Sequence, residues 1–155
     1  MATYSFLDVD ASINGPGGAF SLTGCNSAEG ITITYDDDKT ATTTGADGCI
    51  MHSLRGTMTG SMTFNLLKIS YLNSLLSSLY NYQRRSSAYW GYNVISVRDH
   101  ARGDWYSLTT AAFVKFPDNS YAQDGNILAW TFRGYLTEVL GAGLRDYQET
   151  FGPRA

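Results

Sequence analysis

Charge is scarce in this 155-residue chain: Asp, Glu, Lys and Arg make up 16% of it, against about a quarter in ordinary soluble domains. Ser, Thr, Gly and Tyr are abundant instead, with 16 glycines and 11 tyrosines. A surface of that kind avoids like-charge repulsion when copies of it pack together. The formal charge of −3 argues against a general polyanion binder, because affinity for phosphates needs clustered Lys and Arg. Two cysteines, Cys25 and Cys49, are too few for a disulfide scaffold at this length and are expected to start out reduced. No run of about 18 apolar residues is present, so no helical membrane span is expected. The N-terminus MATYSFLDVD lacks the basic-then-apolar pattern of a secretory signal, so the chain is expected to stay in the cytoplasm or to leave by another route. Neither an internal repeat nor a linker interrupts it. One domain over 1–155 is expected, with a glycine-rich C-terminal extension from about 141.

What is present is period-2 alternation, the signal of half-buried antiparallel strands. Tyr4, Phe6 and Asp8 share one face of an expected opening strand, with Leu7 and Val9 on the other, and NGPGG then forces a turn. ITITY sets Ile31, Ile33 and Tyr35 against Thr32 and Thr34, and the acidic tip Asp36 to Asp38 joins it to TATTT as an expected hairpin. From Thr57 the faces separate sharply: Met58, Met62, Phe64 and Leu66 oppose Thr57, Thr59, Ser61, Thr63 and Asn65. One segment departs from this rhythm. Leu72, Leu75, Leu76, Leu79 and Tyr80 follow helical spacing, so a helix is predicted at about 71–85, with Ser70 as N-cap and Arg84 and Arg85 at its negative end. Strands resume over Val94 to Val97, Trp105 to Val114 and Leu128 to Val139. The fold class is therefore mainly β: an antiparallel sandwich or barrel with one flanking helix.

Several short motifs suggest chemistry. Cys49 and His52 have the i, i+3 spacing of paired metal ligands, and thiolate with imidazole is the minimal pair for covalent catalysis. A structural zinc needs four ligands, and the chain offers only Cys25 and His100 besides. The simpler assignment is a loop thiol and a loop imidazole, with no metal, no cofactor and no catalytic residue. DDDK at Asp36 to Lys39 lacks the spaced ligands of a calcium loop, and RGD at Arg102 to Asp104 is a turn between strands. An enzyme is not expected, because no acid, base and nucleophile converge in sequence. The tyrosines and three tryptophans fit either a sugar-binding platform or extensive contacts between subunits.

GADG at Gly45 to Gly48, MHS at Met51 to Ser53, SLYNYQ at Ser78 to Gln83, SSAYWGYNVISVRD at Ser86 to Asp99 and RGD at Arg102 to Asp104 stand in order along the chain, behind the opening MATYSFLDVDASINGPGGAFSL. On these segments it resembles the tail tube proteins of contractile-tailed bacteriophages, long catalogued as a family of unknown function. Cys25 and Cys49 lie outside the pattern. The resemblance implies a β-sandwich or barrel with one flanking helix, six copies in a ring, and rings stacked into a hollow tube inside a contractile sheath. Such a tube is the conduit for genome ejection.

Partners implied are the chain itself, the tail sheath protein, and in the lumen the tape measure protein and, transiently, DNA. The location implied is the virion, after assembly in the host cytoplasm. In that setting GADGCIMHSLRG is expected to be an inter-subunit loop, with Asp47, Met51, His52, Leu54 and Arg55 as contacts. The Thr57, Thr59, Ser61, Thr63 and Asn65 face is expected to line the lumen, and the outer helix face, with Asn73, Ser77 and Arg84, to meet the sheath. Cys25 and Cys49 are candidates for a cross-link after release into an oxidising medium. The alternatives are the inner tube of a tailocin or secretion-type contractile system, and an aromatic-rich sugar-binding β-sandwich.

Overall fold

A computed structural model of the chain describes residues 3–23 and 26–141. The extension beyond 141 and Cys25, one of the two cross-link candidates, lie outside the described residues.

Among the described residues, nine strands and one α-helix follow in the order β1 (Val9–Gly15), β2 (Gly18–Ser21), β3 (Asn26–Tyr35), β4 (Thr40–Thr44), β5 (Ile50–Leu54), β6 (Thr59–Leu67), α1 (Leu72–Gln83), β7 (Asn93–Asp99), β8 (Asp104–Phe113) and β9 (Ile127–Val139). Seven strands form one antiparallel sheet in the order β2, β1, β7, β8, β9, β6, β3, while β4 and β5 pair only with each other. The fold is mainly β with a single helix, as the alternation requires.

Three expectations need correction. The opening segment is not a strand: Phe6–Asp8 forms a 3-10 turn capped by Ser5, whose hydroxyl accepts the Leu7 N–H, and β1 begins only at Val9. The expected hairpin between ITITY and TATTT does not form, because β3 pairs with β6 and β4 with β5. The helix is shorter than predicted. It spans Leu72–Gln83, and the residue at its cap is Tyr71, although the Ser70 hydroxyl still accepts the Leu72 N–H at 3.3 Å.

β6 shows why patterning works. Its even-numbered residues Met62, Phe64 and Leu66 are fully buried, and Phe64 meets the β9 ring of Phe132 edge-on at 6.0 Å. Gly60 is required where β6 passes β9, because a Cβ there would lie 2.5 Å from a Leu136 methyl carbon. Met58 departs from the pattern: it lies ahead of the strand and is exposed. Leu72, Leu76 and Leu79 seat α1 on the same core, where Trp90, Tyr80, Phe113 and Trp130 make edge-on contacts in that order. Burying each such side chain contributes about 1.5–3 kcal/mol.

The register gives the molecule two ends. Tyr35 pairs with Gly60, Thr59 with Tyr135 and Trp105 with Val139 at the end from which the β4–β5 hairpin departs. Leu67 pairs with Ile127 at the other end, where α1 lies: Trp130 donates its indole N–H to Asn73, and Gln83 bonds Asn93.

Candidate functional site

The segment expected to be an assembly loop is an ordered two-stranded ribbon. Thr40 opposes Leu54, Thr42 opposes His52 and Thr44 opposes Ile50. Its turn closes by Gly45 N–H to Cys49 O at 2.6 Å and Gly48 N–H to Gly45 O at 3.0 Å, with Gly48 at a φ of 93° that disfavours a side chain. Asp47 completes the turn. Its carboxylate accepts the Cys49 N–H at 3.2 Å, and that bond, joined by a weaker one from the Cys49 thiol, holds its pKa below the ordinary 3.8. At the base, Arg55 N–H donates to Lys39 O at 2.8 Å and the Lys39 ammonium returns a bond to Arg55 O.

No face of this ribbon is covered: every residue of Ile50–Leu54 is exposed, Leu54 to 85%. Strand alternation puts Ile50, His52 and Leu54 on one face and Met51 on the other. All five expected contacts, Asp47, Met51, His52, Leu54 and Arg55, therefore project on one element, but Met51 and Leu54 are anchors for opposite faces. Ile50 is an exposed apolar anchor that sequence reasoning passed over. An isolated two-stranded ribbon is marginally stable in water, and this one offers apolar side chains on both faces.

Cys49 and His52 engage separate groups: the thiol contacts Asp47 and the His52 Nδ1 lies 3.0 Å from the Thr42 hydroxyl. Cys49 is exposed and unpaired. Among the described residues no three His, Cys, Asp or Glu side chains gather at one point where a metal could sit. No helix of the described residues is long and apolar enough to cross a membrane.

The hydroxyl face of β6 is polar and internally tied. Thr59, Ser61, Thr63 and Asn65 share it, while Thr57 lies ahead of the strand. The Thr63 hydroxyl meets that of Thr131 at 3.2 Å, and Asn65 donates to Gly30 O. Ser61 donates to Asp36, whose other carboxylate oxygen accepts Arg133 Nε at 3.2 Å. Arg133 thus adds a cation to a face that looked uncharged from β6 alone. Ser61 and Asn65 are buried even in the single chain.

Of the expected sheath contacts, Asn73 turns inward, donating to Leu67 O and accepting from Trp130, whereas Arg84 is exposed. The RGD segment is a turn, with the Asp99 carboxylate accepting the N–H groups of Ala101 and Arg102. Many of the aromatics face inward. Trp130 is 1% exposed and Trp90 half-buried, whereas Trp105, Tyr71, Tyr92, Tyr121 and Tyr135 are exposed.

The model of the family described as Bacteriophage PhiTE tail tube protein matches residues 1–141. No curated protein matches the chain. Among solved structures, similarity extends to a chain of an extracellular contractile injection system, a PVC sheath–tube complex in the extended state, at 12% identity and a TM-score of 0.56, covering 85% of this chain and 88% of the other. A chain of the anti-feeding prophage cap, a tube terminating cap, is 10% identical with a TM-score of 0.54 over 90% of this chain and 93% of its own. A PVC sheath/tube terminator chain is 13% identical with a TM-score of 0.53, over 90% and 98%. At these identities the likeness is one of fold.

Proposed function

Because the chain belongs to the bacteriophage PhiTE tail tube protein family, we propose that it forms hexameric rings that stack into the hollow inner tube of a contractile phage tail, the conduit for genome ejection. The observation that carries this is the β4–β5 ribbon, apolar on both faces and uncovered in the single chain. A neighbouring subunit or ring is its partner. The sheath surrounds the tube, the tape measure protein and then DNA occupy the lumen, and assembly takes place in the host cytoplasm before the tube becomes part of the virion. No catalytic step is assigned to the chain.

In this proposal the face of Thr57, Thr59, Ser61, Thr63 and Asn65 is turned toward the lumen, with Thr57, Thr59 and Thr63 reaching it and Ser61 and Asn65 buried behind them. Short hydroxyl and amide groups offer a duplex few charged contacts, and Arg133 beside them is already paired with Asp36. Six copies at −3 each carry −18, which repels DNA from the assembly as a whole. The injection-system chains of similar fold favour a second use of the same architecture, the tube of a tailocin or secretion-type device. Neighbouring capsid and terminase genes separate the two. Negative-stain imaging of the purified protein is the direct test. Hollow rods with six-fold end views are expected, and a monodisperse monomer at high concentration would refute the proposal.

A further inference from the structure

The two ends of the molecule differ in charge as well as in shape. At the ribbon end, Asp37, Asp38 and Asp47 are exposed and have no ion-pair partner among the described residues. Of the cations there, Lys39 is turned onto the Arg55 carbonyl and Arg133 pairs with Asp36, while the exposed Arg55, Arg98 and Arg102 stand among further carboxylates, Asp8, Asp10, Asp104 and Glu138, that keep this end acidic. At the helix end, Arg84 and Arg85 are exposed and likewise meet no carboxylate among the described residues. Each lies over a tyrosine ring, Arg84 at 5.6 Å from Tyr80 and Arg85 at 5.9 Å from Tyr82, which itself stacks on Tyr89. Lys68, over Tyr121 at 4.0 Å and bonded to Ser120 O and Asn126 Oδ1, adds positive charge to this surface, where Asp118 is paired with Lys115 and Asp124 is exposed. Close to Lys68 in the chain are exposed apolar groups, Ile69 at 86% and Tyr71 at 62%.

An acidic, apolar ribbon at one end and a basic, aromatic surface at the other are complementary within a single sequence. We propose that the ribbon end of one copy docks on the helix end of a second copy, with Asp37, Asp38 and Asp47 meeting Arg84, Arg85 and Lys68. This rests on the tube assignment and supplies its stacking rule. A head-to-tail contact uses two different patches, and where they lie at opposite ends of the molecule it propagates along one axis as an open filament. Two copies meeting ribbon to ribbon or helix to helix would oppose like charges, so the charges fix one direction of stacking as well as adding affinity. The contact is weakened by salt, because these groups are exposed.

The test is a charge exchange. A triple variant Asp37→Lys, Asp38→Lys, Asp47→Lys and a double variant Arg84→Glu, Arg85→Glu should each abolish rods while keeping the wild-type circular dichroism. A chain carrying all five substitutions should form rods again. A second measurement covers misfolding of the charge variants: in rods of a chain with native charges that carries Cys25→Ser and Ser87→Cys, a short bismaleimide should join the native Cys49 of one copy to residue 87 of the next and give a ladder on denaturing gels. Rods that assemble unchanged in both charge variants, or rods without that ladder, overturn the stacking rule and leave the tube assignment standing. A wild-type protein that makes no rods overturns both.

Discussion

Gln83 and Asn93 tie the helix to the sheet with both side chains fully buried. Gln83 Nε2 donates to Asn93 Oδ1 at 2.6 Å and to Pro16 O at 3.0 Å, and Asn93 Nδ2 donates to Gln83 Oε1 at 2.8 Å and to Ala111 O at 3.1 Å. Buried amides are stabilising only while every partner is present. Gln83→Leu should therefore destabilise the monomer by about 1–3 kcal/mol, the cost of an orphaned buried group. The pair Gln83→Leu with Asn93→Leu should cost less than the two singles added, as urea unfolding would measure; strict additivity would mean that the amides do not act together. Asp47 makes a different prediction, because its pKa lies below 3.8 through the Cys49 N–H. A carboxyl with a folded pKa below its unfolded one stabilises the turn above the unfolded value, and that stability is lost as pH falls through the folded value. The Cys49 amide resonance should thus titrate with a midpoint below the ordinary 3.8; a midpoint at or above that value would contradict the turn geometry.

At the level of elements, legibility followed burial. β6 and α1 could be read because one side of each is pressed into the core, and a buried side imprints its period on the sequence: Met62, Phe64 and Leu66 at period 2, Leu72, Leu76 and Leu79 at helical spacing. β5 could not be recognised as a strand, because Ile50–Leu54 is exposed on both faces and nothing selects an alternation. The link from Asp36 to Lys39 misled for another reason. A short turn between two strands suggests that they pair, but which strand takes β3 is decided by β6 and β9 far along the chain, and no local pattern carries that choice. The Asp36–Arg133 pair was hidden in the same way, since its partners come from segments that only the sheet brings together. The ribbon's exposure leads to the element-scale prediction. Leu54→Asp and Met51→Asp should each prevent rod formation without altering the monomer's unfolding midpoint, since neither side chain contributes to the core. Normal rods from Leu54→Asp would remove the ribbon from the interface, and normal rods from Met51→Asp alone would restrict the contact to the Ile50, His52 and Leu54 face.

For the molecule as a whole, the sheet ends at β2 on one side and β3 on the other, and among the described residues neither edge has a further strand partner. Exposed edges invite pairing with other chains unless they are covered, and closing a ring of copies covers them. The orientation of β3 allows a specific forecast. Asp36 donates its N–H to Thr59 O at 3.1 Å, toward β6, and because successive residues of a strand turn their N–H groups to opposite sides, Thr34 points the same way while Ile33 and Tyr35 point to the open edge. If β3 is where one subunit continues into the next, the amides of Ile33 and Tyr35 should exchange with solvent deuterium rapidly in the monomer and become protected in assembled rods. The Thr34 amide should be protected in both. Side-chain packing between subunits would slow exchange without regard to this alternation, so a two-residue periodicity in the protection gained on assembly separates shared backbone pairing from simple contact. Equal protection of Ile33, Thr34 and Tyr35 in monomer and rod would place the subunit junction elsewhere and leave the β3 edge to be covered by some other part of the particle.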